Sequence, residues 1–410
     1  MSKTAFLLAG QGAYQPGMFA QETADPEIAR LLDAVAAVGV EFGHPGVREH
    51  LLDPAAPTAT DLATTDPFRL QLLVFAASVG EYHRAARDER ADVLVGHSLG
   101  ELAALTVAGA FDLADACRLV CHRSVALAAC VTEPGGMLAV ELPAVRAAHL
   151  VGVVGDRRLA VALHNGPTRS VVAGPDSSLA EVGRVTDALD VRSKRLPAPY
   201  AYHSPGLALA ALDFAEAAAP VGQKPLRQQV YSPLLGGYVD DTDDLVALLV
   251  RHLTTPVDFL AAIRTLHAHG LRSVVECGRS GLGALVRASV PDVSVRGAVE
   301  QATATPAPAT AEPSRPASDV APDVESVTER LRVLYATVLQ YPLEAVEPGA
   351  DLEAELGIDS LKRSEMLGRV SKELELPPSM NDGRFLAHTT LAELAGMVVD
   401  ALDTEATTDA

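Results

Sequence analysis

The first 130 residues alternate between short apolar runs and longer amphipathic stretches. Residues 4–8 and 93–95 are short runs of apolar side chains, a pattern that is typical of buried strands. Apolar positions recur with helical spacing in four further stretches: 26–38, 68–84, 99–107 and 111–130. Short apolar strands that alternate with helices predict an α/β domain.

Between residues 137 and 195 the pattern changes. The elements follow in the order strand, helix, strand, strand, helix and strand, which is the split βαβ of a ferredoxin-like subdomain. Alternation of helices and strands then resumes. The later elements are helices at 205–218, 242–253 and 256–269 and a strand at 273–276. We therefore predict a large α/β domain at residues 1–300, with residues 133–198 inserted as a ferredoxin-like subdomain.

The remaining residues divide into a linker and a helical module. Residues 301–323 are mainly Ala, Pro and Thr without periodicity, which predicts a linker. Amphipathic stretches at 324–339, 361–374 and 390–402 then predict a small all-helical domain, which we place at residues 324–404.

Composition narrows the possible partners. The 410 residues carry a formal net charge of -20, and residues 321–410 hold 18 Asp and Glu against 7 Lys and Arg, a net of -11. This acidity argues against nucleic acid and against anionic membranes as partners. No run of 18 apolar residues and no secretory signal pattern is present. The four cysteines match neither a disulfide framework nor a zinc site, so we expect a cytoplasmic protein with reduced thiols and no metal.

A glycine-flanked serine separates the strand at 93–95 from the next helix. Gly96, His97, Ser98, Leu99 and Gly100 match the pattern of a nucleophile elbow, in which the two glycines allow a sharp turn. Ser98 then lies at the tip, beside free N–H groups at the start of a helix. The alternative interpretation is a turn of small residues without chemistry.

A serine nucleophile needs a base, and the sequence offers two candidate histidines. His97 is adjacent to Ser98, and because neighbouring elbow side chains point in different directions we expect it to shape the pocket. His203 lies in a proline-bounded stretch where the inserted subdomain returns to the large domain, so it is the candidate base. The alternative for His203 is a loop histidine that only caps a neighbouring group.

Arg123 lies on the inner face of an apolar helix. A buried guanidinium requires an anion, which is either a structural carboxylate of the protein or the carboxylate of a substrate. Residue pattern alone leaves both possibilities open. A hydrolase for neutral acyl chains would have no use for this charge.

These residues lie within a longer resemblance: residues 1 to about 300 resemble malonyl-CoA:acyl-carrier-protein transacylases and the acyltransferase domains of polyketide synthases. The matching segments occur in the family's order: FLLAGQGAYQPGM, GHSLGE, CHRSVAL, EPGGMLAV, HNGPTRSVVAGP, PYAYHSP and VVECGRSGLGALV. The resemblance implies an α/β-hydrolase-like large subdomain with an inserted ferredoxin-like subdomain. It also implies that Ser98 is acylated, that His203 is the base and that Arg123 pairs with the extender carboxylate. Backbone N–H groups of Gln11 and Leu99 would form the oxyanion hole.

Two positions depart from the family pattern and bear on substrate binding. His252 stands where relatives usually carry Gln or Asn, an amide that helps to orient the catalytic histidine. The selectivity tetrapeptide reads Tyr200, Ala201, Tyr202, His203, whereas malonyl-type enzymes resemble HAFH and methylmalonyl-type enzymes YASH. Tyr200 therefore favours methylmalonyl, and Tyr202 favours malonyl. We give Tyr202 more weight, because its bulk beside the substrate Cα would exclude a methyl branch.

A second resemblance covers residues 324 to about 402. The segment ELGIDSLKRSEML is similar to acyl carrier proteins of polyunsaturated fatty acid and iterative polyketide synthases. It implies a four-helix carrier domain with 4'-phosphopantetheine attached covalently to Ser360. Asp-Ser before a helix is otherwise a common N-cap.

Together the two resemblances predict an [acyl-carrier-protein] S-malonyltransferase of polyketide or fatty acid biosynthesis. Malonyl would pass from coenzyme A to Ser98 and then to a phosphopantetheine thiol, on a carrier domain in cis or in trans. Expected partners are malonyl-CoA, that carrier, and a ketosynthase or other polyketide synthase components. The alternatives are an editing hydrolase for acyl thioesters, an acyltransferase for another acyl-CoA such as methylmalonyl-CoA, and a non-enzymatic docking domain.

Overall fold

The computed structural model describes residues 2–297 and, beyond them, residues 324, 327–329, 331–332, 335, 348–349, 390–391, 393, 395–396 and 399. The chain divides into two compact units, Met1–Ala307 and Pro308–Ala410. Among the described helices, none combines the length and the apolar character needed to cross a membrane.

The first unit contains eleven strands and twelve α-helices within residues 2–297. The strands are β1 Lys3–Leu8, β2 Val93–Gly96, β3 Gly135–Val140, β4 Ala160–Gly166, β5 Arg169–Pro175, β6 Ser193–Arg195, β7 Val230–Ser232, β8 Gly237–Tyr238, β9 Val257–Asp258, β10 Leu271–Cys277 and β11 Ser294–Gly297. The helices are α1 Pro26–Glu41, α2 Val47–Leu52, α3 Ala59–Thr65, α4 Pro67–Ala85, α5 Gly100–Val107, α6 Leu113–Cys130, α7 Ala144–Val154, α8 Asp176–Ala188, α9 Ala208–Ala218, α10 Leu245–Thr254, α11 Phe259–Ala268 and α12 Leu282–Ser289.

A six-stranded sheet forms the centre of the large domain, in the order β11-β10-β1-β2-β7-β8. All neighbouring strands are parallel except β7 and β8. The central strands are buried almost completely, which explains why they read as continuous apolar runs in the sequence. This α/β architecture agrees with the prediction, and it places the end of β2 in the middle of the sheet's carboxyl edge.

The inserted subdomain is a second sheet in the order β6-β3-β5-β4-β9, with α7 and α8 packed against it over a small core of its own. Its first four strands are antiparallel where they pair, in the ferredoxin-like order. The fifth strand, β9, comes from the large domain and pairs in parallel with β4, Leu163 opposite Val257. The inserted sheet is thus continuous with a strand of the large domain.

The predicted helix at 256–269 differs from the structure at its start. Residues Val257 and Asp258 form β9, and the helix begins at Phe259 because the Asp258 side chain accepts a hydrogen bond from the Ala261 N–H at 2.9 Å. The sequence pattern also missed the short elements α2, α3, β7, β8 and β11. Elements of two to seven residues show too little periodicity to be recognised.

In the second unit, the described residues include a buried helical face formed by Val327, Leu331 and Tyr335, spaced four residues apart. Leu391 and Ala395 are buried with the same spacing. Ser360, the linker predicted at 301–323 and the rest of the predicted four-helix carrier domain lie outside the described residues. The four cysteines, all described, are free thiols.

Candidate active site

Ser98 lies between the end of β2 and the start of α5, in the left-handed backbone region with φ of 55°. This conformation costs a non-glycine residue on the order of 1–3 kcal/mol. The turn is held by tight packing, because a Cβ on Gly100 would overlap the Leu8 carbonyl and a Cβ on Gly96 would overlap the Glu101 backbone. The two glycines therefore let α5 start directly against β1 and leave Ser98 at the tip.

His203 faces Ser98 from the segment that follows the inserted subdomain. The Ser98 Oγ and the His203 Nε2 are 2.8 Å apart, and His203 is 1% exposed. Its backbone is also left-handed, with φ of 59°, and the neighbouring Ser204 donates from its N–H to the Leu253 carbonyl at 3.1 Å. The structure thus brings together the serine and histidine that the sequence placed 105 residues apart.

Burial lowers the pKa of His203 well below its usual range, and the neighbouring His252, Arg123 and His97 lower it further, while a hydrogen bond to the Thr255 backbone opposes the shift. The imidazole is therefore neutral at neutral pH. A neutral Nε2 at hydrogen-bond distance from a hydroxyl can take up its proton.

The loop after β1 lies beside the elbow, since a Cβ on Gly10 would be 2.7 Å from the His97 carbonyl oxygen and 3.1 Å from the Leu99 nitrogen. Within residues 2–297, the N–H groups of Gln11 and Leu99 make no hydrogen bond. The Gln11 side chain donates to the Pro197 carbonyl, which ties this loop to the end of the inserted subdomain. The two free N–H groups can stabilise a developing oxyanion.

Arg123 projects from α6 and is 5% exposed. Its Nη1 donates to the Gln71 Oε1 at 2.6 Å, and its guanidinium carbon lies 4.8 Å from the centre of the Tyr202 ring. No ion pair among residues 2–297 includes Arg123, and burial lowers its pKa. Within this part of the chain a structural carboxylate for Arg123 is therefore lacking.

The cleft between the large domain and the inserted subdomain has a volume of about 880 Å³ and is lined by residues of both. Ser98, His97, Arg123 and Tyr202 line it, together with Gln11 and Leu99 of the two loops. A cavity of this size is within the range of small-molecule binding sites. Ser98 and the buried Arg123 therefore share one cleft, and His203 contacts Ser98 without lining the cleft itself.

The remaining predicted site residues occupy different positions. His97 bonds through Nε2 to Asn165 Oδ1 at 2.8 Å and lines the cleft. Tyr200 packs edge-on against Tyr202, with ring centres 5.8 Å apart, and is absent from the cleft lining. His252 is also absent from the lining; it is buried behind His203 and bonds to Glu101.

Sequence reasoning missed three polar residues at this site: Gln71, Asn165 and Glu101. Gln71 lies within an apolar helical pattern, and only a polar residue on the buried face of α4 could have signalled it. Asn165 and Glu101 stood inside quoted motifs, HNGP and GHSLGE. Their partners come from distant segments, so the motifs alone did not reveal their contacts.

Two family models match the chain. An acyl transferase domain matches residues 6–281, and a phosphopantetheine attachment site matches residues 329–398. The relatives include the mycoketide-CoA synthase of Mycobacterium tuberculosis, 32% identical over 278 residues, and the pikromycin polyketide synthase component PikAIII of Streptomyces venezuelae, 30% identical over 280 residues. Each alignment covers 67% of this chain but only 6% and 17% of the respective synthase, so the chain spans a small part of their length.

Solved structures show the same likeness. The acyltransferase domain from the second module of the salinomycin polyketide synthase has a TM-score of 0.60 and 30% identity, with 72% of this chain and 69% of that chain covered. The acyl-carrier-protein S-malonyltransferase from Burkholderia pseudomallei 1710b has a TM-score of 0.64 and 24% identity, with coverage of 73% and 99%. At 24% identity, the likeness to the Burkholderia structure concerns the fold alone.

The position of His203 leads to a prediction about its titration. We expect its imidazole to stay neutral to well below pH 6.5, the ordinary histidine pKa. As pH falls below about 6.5 the unfolded chain binds this proton first, so His203 reduces folding stability in that range. An NMR titration of isotope-labelled histidines, with the signal assigned by its loss in His203→Gln, checks this. A midpoint at or above 6.5 would contradict it.

Proposed function

Starting from the finding that this chain belongs to the acyl transferase domain family, we propose that it transfers a malonyl unit from coenzyme A to a carrier-bound thiol through an acyl intermediate on Ser98. The family matches confirm the resemblance recognised in the sequence. The second match is a phosphopantetheine attachment domain, so the chain carries 4'-phosphopantetheine covalently. Its thiol supplies the nucleophile that receives an acyl group.

The guanidinium of Arg123, which pairs with no carboxylate among residues 2–297, is the observation that carries the malonyl assignment. A buried cation without a protein carboxylate stays desolvated unless a ligand supplies the negative charge. The free carboxylate of malonyl is such a group, and a bidentate contact would fix its orientation in the cleft. Gln71 accepts a hydrogen bond from Nη1 and so holds the guanidinium in place beside the cleft.

In the first half of the proposed reaction, Ser98 Oγ attacks the thioester carbonyl carbon while His203 Nε2 takes the hydroxyl proton. The carbonyl oxygen becomes negative and lies against the N–H groups of Gln11 and Leu99. When the tetrahedral centre collapses, the C–S bond breaks and His203 returns the proton to the departing sulfur. The second half runs in reverse, with His203 taking a proton from the attacking thiol.

Tyr202 supports malonyl over methylmalonyl as the substrate. Its ring is 4% exposed, lines the cleft and lies against the Arg123 guanidinium. A carboxylate paired with Arg123 would place the neighbouring Cα close to this ring, where a methyl branch would clash. Tyr200, the residue with methylmalonyl-type character, packs behind Tyr202 rather than lining the cleft.

Two other candidate functions are less well supported. An editing hydrolase for neutral acyl chains has no role for a buried cation at the base of its cleft. A non-enzymatic docking domain does not require the 2.8 Å contact between Ser98 and His203, both of which adopt costly left-handed backbones. We therefore favour acyl transfer.

Replacing Ser98 tests the intermediate. With Ser98→Ala we expect malonyl-CoA to leave no acyl adduct on the acyltransferase domain, because the nucleophilic oxygen is missing, while thermal unfolding stays near that of the parent. Intact mass and peptide mapping measure the adduct. Ser177→Ala, on an exposed serine of α8, is the matched control and should acylate normally. A labelled adduct that persists on the same domain of Ser98→Ala would rule the intermediate out.

Replacing Arg123 tests the substrate class. We expect Arg123→Ala to lower malonyl transfer by about 2–5 kcal/mol in transition-state binding and to raise the relative use of acetyl-CoA, since acetyl lacks the carboxylate. The matched control is Arg118→Ala, because Arg118 lies on the same helix but pairs with Glu41 and Asp115 near the surface. Steady-state kinetics with both acyl-CoAs measure the change. An unaltered preference between the two substrates would contradict the assignment.

We further propose an acyltransferase domain at residues 1–300, a linker at 301–323 and a carrier domain at 324–404, with Ser360 as the attachment site. We also propose a cytoplasmic location, with a ketosynthase or other synthase components as partners. A covalent tether gives the carrier an effective concentration of order millimolar at its own acyltransferase. This favours loading within one chain.

Mixing two variants tests loading within the chain. One chain carries Ser98→Ala and has 4'-phosphopantetheine on Ser360. The other carries Ser360→Ala and keeps Ser98 intact. Because transfer between them is bimolecular, we expect loading at low micromolar concentration to be at least ten times slower than in the parent. Mass spectrometry of the carrier peptide measures the rates. Equal rates in the mixture and in the parent would show that loading between molecules suffices.

A further inference from the structure

Gln71 contacts the buried guanidinium of Arg123 from a neighbouring helix. It lies on α4, is 2% exposed and lines the same cleft as Arg123. Its Oε1 accepts a hydrogen bond from the Arg123 Nη1, with the two atoms 2.6 Å apart. Because a guanidinium can only donate, the oxygen of the amide must be the atom that faces Arg123. This contact therefore fixes the orientation of the Gln71 amide as well as that of the guanidinium.

The tyrosines beside Arg123 add no negative charge. The Arg123 guanidinium carbon lies 4.8 Å from the centre of the Tyr202 ring. Burial raises the pKa of Tyr202 and of Tyr200, and the nearby Arg123 and Gln71 offset this rise at Tyr202 only in part. Both phenols are therefore neutral at neutral pH. In the part of the chain that the structure describes, Arg123 is thus held by neutral side chains that do not cancel its charge.

A second arginine in this domain shows the opposite arrangement. Arg84, also on α4, pairs with the carboxylates of Glu22 and Glu81, although its side chain is 20% exposed. Arg123 is 5% exposed, so its charge is further removed from water, yet its hydrogen-bond acceptor is an amide. A buried cation normally requires a counter-charge. The neutral partner at position 71 therefore indicates that the counter-charge of Arg123 comes from a ligand.

We propose that Gln71 is a specificity-determining residue for the acyl group: it positions the Arg123 guanidinium without cancelling its charge, which stays available for the free carboxylate of a dicarboxylic acyl group. This inference rests on the proposed function, in which Arg123 binds that carboxylate. A glutamate at this position would have the same length but would give Arg123 a negative partner within the protein. The cleft would then lose its preference for an anionic acyl group.

A purely structural role is the competing explanation, in which the contact between Gln71 and Arg123 only joins α4 to α6. Loss of such a brace would lower stability and would slow acylation by every acyl-CoA to a similar extent. It would not change the preference between a charged and a neutral acyl group, because that preference depends on the charge in the cleft. The ratio of the two acylation rates therefore separates the explanations.

The experiment measures the second-order rate of Ser98 acylation by malonyl-CoA and by acetyl-CoA, in the full chain and in its variants. For Gln71→Glu we expect the malonyl rate to fall about a hundredfold, because the new carboxylate takes the place of the substrate carboxylate on Arg123. The acetyl rate should stay within about threefold of the parent. Gln229→Glu, which adds the same charge on an exposed residue before β7, is the matched control and should keep the parental ratio.

A neutral substitution separates positioning from charge. Gln71→Met keeps the approximate size of the side chain but removes the acceptor, so Arg123 stays charged and is held less firmly. We expect the malonyl rate to fall about tenfold, mainly through a higher KM, and the acetyl rate to stay near the parent. Thermal unfolding of each variant is recorded alongside. If Gln71→Glu fails to fold, Gln71→Met decides alone, and equal losses with the two substrates would overturn the proposal.

The double variant Gln71→Glu with Arg123→Ala tests whether Gln71 acts through Arg123. Without the guanidinium there is no charge to cancel, so we expect Gln71→Glu to leave the ratio of malonyl to acetyl rates unchanged in the Arg123→Ala background. A hundredfold effect that persists there would mean direct repulsion of the substrate and would overturn the proposal.

Failure of this inference differs from failure of the proposed function. A parental ratio of malonyl to acetyl rates in both single variants would overturn the role of Gln71 and leave acyl transfer intact. A parent chain that forms no acyl adduct from malonyl-CoA would overturn the proposed function, and this inference with it.

Discussion

The site depends on the close packing of α5 against the end of β1. β1 and β2 pair in parallel, with Leu8 opposite Gly96, so both strands end at the same edge of the sheet. The Leu8 carbonyl accepts the His97 N–H at 2.9 Å, and the absence of a side chain at Gly100 allows the helix to begin directly above it. This one contact sets the serine at the tip of the turn and brings the loop at Gln11 beside it.

The inserted subdomain completes the cleft because several contacts tie it to the large domain. β9 extends its sheet, the Gln11 side chain reaches the Pro197 carbonyl, and His97 bonds to Asn165 on β4. Each of these contacts joins segments that are far apart in the chain. The result is that Ser98, at the end of one sheet, faces side chains from the other across a space suited to a ligand.

Buried charge gives the cleft its chemical character. Within residues 2–297, Arg123 is held by Gln71 and the Tyr202 ring and by no carboxylate, whereas Glu101 is paired with a histidine. In water-poor surroundings these charges act on His203 more strongly than surface charges would. Burial and the nearby Arg123 hold the pKa of His203 well below its usual range, so the ring is neutral at neutral pH.

Local patterns in the sequence were sufficient for the fold class, the insertion and the elbow. Glycine at 96 and 100 flanks Ser98, apolar runs mark the central strands, and the change of order after residue 137 marks the ferredoxin-like unit. Each of these features depends on consecutive residues of the sequence, so it can be recognised without knowing which residues lie nearby in the folded structure. The nomination of Ser98, His203 and Arg123 rested on the same kind of signal together with family resemblance.

Only the tertiary structure decided what those residues contact. Arg123 contacts Gln71, and His252 contacts Glu101 instead of lining the cleft, because helices from distant parts of the chain pack together. The two-residue strand β9 likewise exists because β4 offers it a partner, not because its own sequence demands it. Side chains that pair across 52 and 151 residues of sequence show no periodic pattern along the chain, so only the folded structure reveals these pairs.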